Sequence, residues 1–228
     1  MTLSARSGPL GGMGQAPVVP GRASWTGLLL FLILAGAAFG NAVGYVLYAG
    51  NPLVSSDAWY FIDVFLRKAM EGSATIQDYY VKRSVDDHAQ PVLKLLMLAN
   101  ARWFGLDFVV EALCGILFAA LTFAVLAYAA AISGVGPRSG WRHAVLLGVM
   151  GACLVTLNAG MVFNWSLVTL GYWPYLLASV SGVVTWRVLT EGKHWTLLVL
   201  VAFAVSFLLD TAGVLASLAV ALAAGFYA

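Results

Sequence analysis

Residues 25–48 read WTGLLLFLILAGAAFGNAVGYVLY, 24 positions without a charge. As a helix this stretch reaches about 36 Å, enough to cross a hydrocarbon layer of about 30 Å with some tilt. Ala35-Gly36-Ala37 resembles a signal-peptidase site. The apolar run continues well past it to Tyr48, however, longer than a signal core of about 7–15 residues. The stretch therefore reads as a membrane anchor that stays in the protein.

The rest of the chain agrees. Of 228 residues, 61% are hydrophobic and 10% are charged, and the mean hydropathy is +0.89. Soluble domains carry about 25% charged residues, and a globule of this size lacks the interior to hide so much apolar surface. A soluble domain and a disordered chain are both excluded. A net charge of +2 gives no case for nucleic acid. Further spans are expected at 108–132, with Asp107 as N-cap, at 141–157 and at 172–189, with Pro174 in the first turn. The run 195–227, interrupted only by Asp210, divides into two short helices. The expected fold is all-α and polytopic, with about six transmembrane helices over residues 25–228 behind a disordered cytoplasmic tail, 1–24. Arg6, Arg22, Arg138, Arg142, Arg187 and Lys193 fall on one side of alternating spans, which makes that side cytoplasmic. The abrupt apolar finish at Gly225-Phe226-Tyr227-Ala228 suggests a missing C-terminal part. Cys114 and Cys153 sit in apolar runs and read as packed thiols.

The outward segment 49–106 carries the chemistry, with six of the ten acids and six of the twelve basic residues in 51–106. Ser55-Ser56-Asp57 opens a helix with a capping serine and an acid in its first turn. Ala58, Ile62, Phe65, Leu66 and Ala69 follow at helical spacing, with Asp63, Arg67, Lys68 and Glu71 opposite. Such a helix is expected to lie in the membrane interface with its apolar stripe toward lipid. Gly72-Ser73 ends it. A second helix, 92–104, starts at Gln90-Pro91 and is capped by Gly105. These are the two juxtamembrane interfacial helices of the first extracytoplasmic loop.

Lys82, Arg83, Lys94 and Arg102 are candidates to hold a phosphate, with cations that reach for lipid headgroups as the alternative reading. Asp57 is the candidate catalytic base, kept ionised by its helix N-terminus, with a plain dipole-stabilising role as the alternative. Asp87 and His88 are substrate-binding candidates, or a solvated turn with Asp86, and Tyr79 could stack on a sugar. One histidine beside two adjacent acids does not suit zinc, so no metal ligands are assigned; a hard divalent cation is the one cofactor the carboxylates could take. Asp210 marks function or a turn in water, and Asn164-Trp165-Ser166 fits a glycosylation sequon. There is no phosphate-cradling glycine loop, nucleophile elbow or HExxH run.

The stretch Ser55-Ser56-Asp57-Ala58-Trp59, nine residues past Tyr48 at its acid, resembles the N-terminal part of GT-C glycosyltransferases. So does Asp87-His88-Ala89-Gln90-Pro91, followed by Leu95-Leu96-Met97-Leu98 and Trp103-Phe104-Gly105. The resemblance is to the protein O-mannosyltransferase and lipid A aminoarabinose transferase type, and covers about residues 25–135. It implies a polyprenyl-phosphate-linked sugar donor and transfer to an acceptor hydroxyl on the periplasmic face. It also implies inversion at the anomeric carbon, Asp57 as base, and a bacterial inner membrane. Family members usually have more spans and often a soluble C-terminal domain. The rival expectations are a non-catalytic membrane subunit or lipid-binding module, working with further membrane subunits, and a small transporter.

Overall fold

The computed structural model describes residues 25–50, 58–82, 90–133, 140–155 and 171–191. These are helical with no strand among them, so the all-α expectation holds. Helix α1 is Trp25–Ala49, α2 Ala58–Phe61 and α3 Arg67–Met70, with a π-helical turn Ile62–Leu66 joining the last two. A 3₁₀ helix covers Ile76–Tyr80. Then come α4 Pro91–Phe104, α5 Phe108–Ser133, α6 Gly140–Leu154 and α7 Tyr172–Glu191. The stretch expected to form the last two spans, with Asp210, lies outside the described residues, as do the N-terminal tail and Asn164.

Among the described residues, two helices are long and apolar enough to cross a membrane, over Leu29–Ala49 and Phe108–Ala131. The core helix of a soluble protein can pass the same test, but such a helix is mostly buried. Here only 17% and 33% of the two apolar windows are buried inside the protein. Leu29, Leu32, Ile33, Leu117 and Leu121 instead form an exposed apolar surface, which suits a lipid solvent rather than water. The expected third span is a shorter apolar helix, Trp141–Leu154.

The long helices alternate in direction. Phe31 and Phe39 both pack on Phe123, while Ala42 and Val46 meet Ala112 and Ile116, so α1 and α5 are antiparallel. Leu34 meets Gly148 and Val46 clusters with Val155, so α6 runs with α1. Phe118 packs on Trp173 at 5.0 Å and Tyr128 bonds Arg187 at 2.9 Å, so α7 runs with α5. The Tyr172 hydroxyl donates to the Leu154 carbonyl, joining the end of α6 to the start of α7. One end of the bundle therefore holds the tail of α1 and the head of α5, with the 58–106 unit between them. The other end holds Arg142, which lies against the Trp141 ring at 5.4 Å, and Arg187.

Helix α1 packs most extensively on α6, and α5 on α7. Close approach of α1 and α6 depends on glycine. A Cβ at Gly148 would stand 2.7 Å from the Leu34 Cβ and 3.0 Å from its Cδ1, whereas one at Gly151 would find Phe123 and Ala35 at 3.3–3.4 Å. Small residues let helix backbones meet where no hydrophobic effect drives them together. Gly148→Ala is expected to lower stability by about 1–3 kcal/mol, the usual cost of overpacking. Gly151→Ala should cost less, and thermal unfolding in detergent reads the order.

Candidate functional site

The chain between α1 and α5 is a folded unit with its own core. Ala58, Phe61, Phe65, Leu66 and Ala69 are buried with Met97 of α4 and Phe108 of α5. This corrects the expected orientation of the first interfacial helix. Its stripe faces α4 and α5 rather than lipid, and the large apolar groups left exposed are Trp59 and Met70 on its flanks. Helical spacing shows which residues share a face, not what covers it. The end of that helix is as expected: Gly72 takes φ +74°, and the Ser73 N–H donates to the Lys68 carbonyl at 2.9 Å. Pro91 occupies the first turn of α4, and Gly105 closes it in the left-handed region. The Asp107 carboxylate accepts from the Val109 N–H at 2.8 Å, the expected N-cap of α5.

Residues 75–82 form a strap across this core, pinned at both ends. At its start, Thr75 and Asp78 make a capping box. Asp78 Oδ2 accepts from the Thr75 N–H and from its hydroxyl, each at 2.8 Å. Asp78 Oδ1 accepts from Lys68 Nζ at 2.8 Å. The Lys68 ammonium, followed by the two Thr75 donors, holds the Asp78 carboxyl well below the usual carboxylate range. At the far end, Lys94 Nζ donates to the carbonyls of Asp78, Tyr79 and Val81 at 3.0, 2.9 and 2.7 Å. Three protons meet three acceptors, which completes the ammonium's capacity. Its charge also lies over the rings of Phe61 and Phe65, 5.5 and 5.7 Å from their centroids.

Lys94 is 1% exposed. Its expected role as a phosphate ligand is therefore corrected: in this structure it is a buried strut with no proton left to give. Tyr79 is half-buried with its ring edge-on to Phe65 at 4.8 Å, so part of the surface expected to stack on sugar is taken by protein. The other sequence candidates divide in two. Lys82 and Arg102 are exposed. Arg102 is followed by Trp103 and Phe104, which are 75% and 57% exposed, an arrangement typical of an interfacial anchor. Asp57, Arg83, Asp87 and His88 lie outside the described residues. Their neighbours in the chain are described. The Tyr60 hydroxyl donates to the Lys82 carbonyl at 3.0 Å. The chain entering the unit at Ala58 and the chain leaving the strap at Lys82 thus meet on one side of it.

A second buried polar group joins α4 to α5. Asn100 Nδ2 donates to the Asp107 carbonyl and to Glu111 Oε1, both at 2.9 Å. Asn100 and Glu111 are 4% and 2% exposed. The tie spans a turn in which Leu106, a residue with a side chain, holds φ +65°. A left-handed leucine costs about 1–2 kcal/mol, and this polar tie helps to hold it. Sequence reasoning assigned no role to Asp78, Lys68 or Asn100. The Thr75-x-x-Asp78 spacing is a capping signal that marks one of them; Asn100 carries no such mark.

The two titrations act with opposite sign. Asp78 is stabilised as a carboxylate, so its contribution is present above its ordinary pKa of 3.8 and is lost as pH falls below that. Burial pushes the Lys94 ammonium down to about 8, partly opposed by Asp78. Between pH 8 and 10.5 the unfolded chain keeps a proton that the folded chain has released. Stability therefore rises with pH across that window. Denaturant midpoints should show the rise in the wild type and lose it in Lys94→Met.

Among the described residues no group of three or more His, Cys, Asp or Glu side chains could hold a metal ion. Comparison with protein-family models, with curated proteins and with solved structures finds no match to this chain.

Proposed function

We propose that this chain is a membrane glycosyltransferase of GT-C type, or the N-terminal portion of one, with six spans and its N-terminus in the cytoplasm. The 58–106 unit then stands on the outer face of a bacterial inner membrane. A polyprenyl-phosphate-linked sugar enters sideways from the bilayer. Asp57 takes the proton from an acceptor hydroxyl, the hydroxyl oxygen bonds to the anomeric carbon, and the carrier phosphate leaves with the electrons of the broken bond. Attack opposite the leaving phosphate inverts the anomeric centre. Lys82, Arg83 and Arg102 are the cations for that phosphate, with Asp87 and His88 beside the acceptor.

What supports this is the Tyr60–Lys82 hydrogen bond. It brings together the chain that follows Asp57 and the chain that precedes Arg83, Asp87 and His88, on a unit made rigid by the Lys94 strut. A loop serving only as a connector needs no core of its own. The alternating helix directions, with Arg142 and Arg187 at the end opposite this unit, support the orientation. The test is sugar transfer from synthetic polyprenyl-phosphate donors by the purified chain in lipid nanodiscs. Turnover with one donor supports the proposal; none with any donor by folded protein overturns it.

The second reading is a non-catalytic membrane subunit. It is favoured by the commitment of Lys68 and Lys94 to Asp78 and the strap carbonyls, which removes two cations from phosphate binding.

A further inference from the structure

We propose that the outward face of α4 docks on an anionic phospholipid surface, its apolar stripe in the headgroup layer and Arg102 against lipid phosphate. The proposal rests on the reading of α5 as a membrane span. Helix α4 is inside out for a helix in water. Its polar side chains are Lys94, Asn100 and Arg102, with no acid among them. Lys94 and Asn100 are buried and point into the protein, to the strap carbonyls and to Glu111. The opposite face carries Val92, Leu95, Leu96, Ala99 and Trp103, at the spacing of one helical stripe. Leu95 and Trp103 are exposed and the other three are half-buried. Water is a poor solvent for such a face, whereas the boundary of headgroups and acyl chains suits it.

Two features name the occupant of this face. The first is charge. Arg102 is exposed beside the stripe, and among the described residues no hydrogen bond or ion pair engages it. A free guanidinium next to an apolar stripe without acids matches a surface that offers both phosphate and hydrocarbon. A zwitterionic headgroup has the same phosphate but cancels its charge, so the face discriminates by net charge. The second feature is depth. Trp103 and Phe104 stand one short turn before Phe108, where the span of α5 begins. Tyr48 on α1 and Tyr175 on α7 are exposed as well, and the helix directions put both at this end of the bundle. Exposed aromatic rings on three helices thus mark one end, as Trp and Tyr do where headgroups meet hydrocarbon. The stripe of α4 leads into that belt.

The experiment puts a bimane label on one cysteine of the full chain, with Cys114 and Cys153 replaced by alanine, in nanodiscs of phosphatidylglycerol or phosphatidylcholine. Leu95→Cys reports on the stripe, Leu117→Cys on the exposed side of α5 and Ile76→Cys on the strap; all three side chains are exposed. A doxyl-labelled lipid quenches from the bilayer, and a neutral water-soluble nitroxide quenches from solvent. In phosphatidylglycerol, Leu95→Cys should be quenched by the lipid probe as Leu117→Cys is, and Ile76→Cys by the soluble one. In phosphatidylcholine the ratio of lipid to solvent quenching at Leu95→Cys should fall about fivefold, the effect of one cation at a membrane surface. Arg102→Gln should bring phosphatidylglycerol to the phosphatidylcholine level, and Arg102→Lys should keep the difference. Quenching of Leu95→Cys mainly from solvent overturns the proposal. So does protection from both probes, which would mean that protein covers the face. A ratio that Arg102→Gln leaves unchanged also overturns it. If Leu117→Cys is quenched by the lipid probe and Leu95→Cys is not, docking fails and the membrane reading survives. If neither is, the membrane reading fails with it.

Discussion

Lys94→Met is expected to release the strap and cost the 58–106 unit about 3 kcal/mol of stability. Methionine keeps much of the side-chain volume but supplies no donor. The carbonyls of Asp78, Tyr79 and Val81 then lose their common partner. A buried carbonyl without a donor costs about 1–3 kcal/mol. Relief of a buried charge returns part of the sum for three. Hydrogen exchange should detect faster exchange over residues 75–82, with the long helices unchanged. Lys68→Met should cost less, because its ammonium is half in solvent and an exposed pair is screened. Comparable losses for the two lysines would show that Lys94 is not the main strut.

Asp57→Asn is expected to lower sugar transfer by about 10²–10⁴-fold, the usual contribution of a positioned general base. Asparagine is nearly the same size and can still cap a helix, so folding and donor binding should persist. The loss should therefore appear in kcat with KM for the donor little changed, since the base acts only as the acceptor proton moves. A nucleophile that is already ionised should restore part of the rate. Unchanged turnover would remove Asp57 from the mechanism and favour the non-catalytic subunit.

Helix existence and helix ends were legible because they depend on local chemistry. Span length follows from uncharged runs, and Gly72, Pro91, Gly105 and Asp107 each act within a turn of their own position. Tertiary partners were not legible. Lys94 looks like the polar side of an amphipathic helix, yet its partners are backbone carbonyls, which every residue possesses and no sequence advertises. The stripe through Ala58, Phe65 and Ala69 reads equally well as lipid-facing or protein-facing; the choice was made by α4, which presents Met97 and Lys94 to it. The π-helical turn shifts the register of that stripe between Ile62 and Leu66, and the residues there carry no proline or glycine to announce it. At the candidate site, Lys82 and Arg102 stand exposed as a binding role requires. Lys94 does not, because burial with full hydrogen bonding is a property of the folded unit alone.

All of this depends on the unit between α1 and α5 standing outside the cytoplasm. Ile76, at the strap, is 79% exposed, so a cysteine there meets solvent without disturbing the core. In a background with Cys114 and Cys153 replaced by alanine, intact cells expressing Ile76→Cys would be treated with a membrane-impermeant maleimide. Ser139→Cys, one position before α6 in the chain, serves as the opposite-face control. Labelling of Ile76→Cys in intact cells, with Ser139→Cys labelled only after lysis, is the predicted result. Protection of Ile76→Cys until the cells are broken would contradict the account.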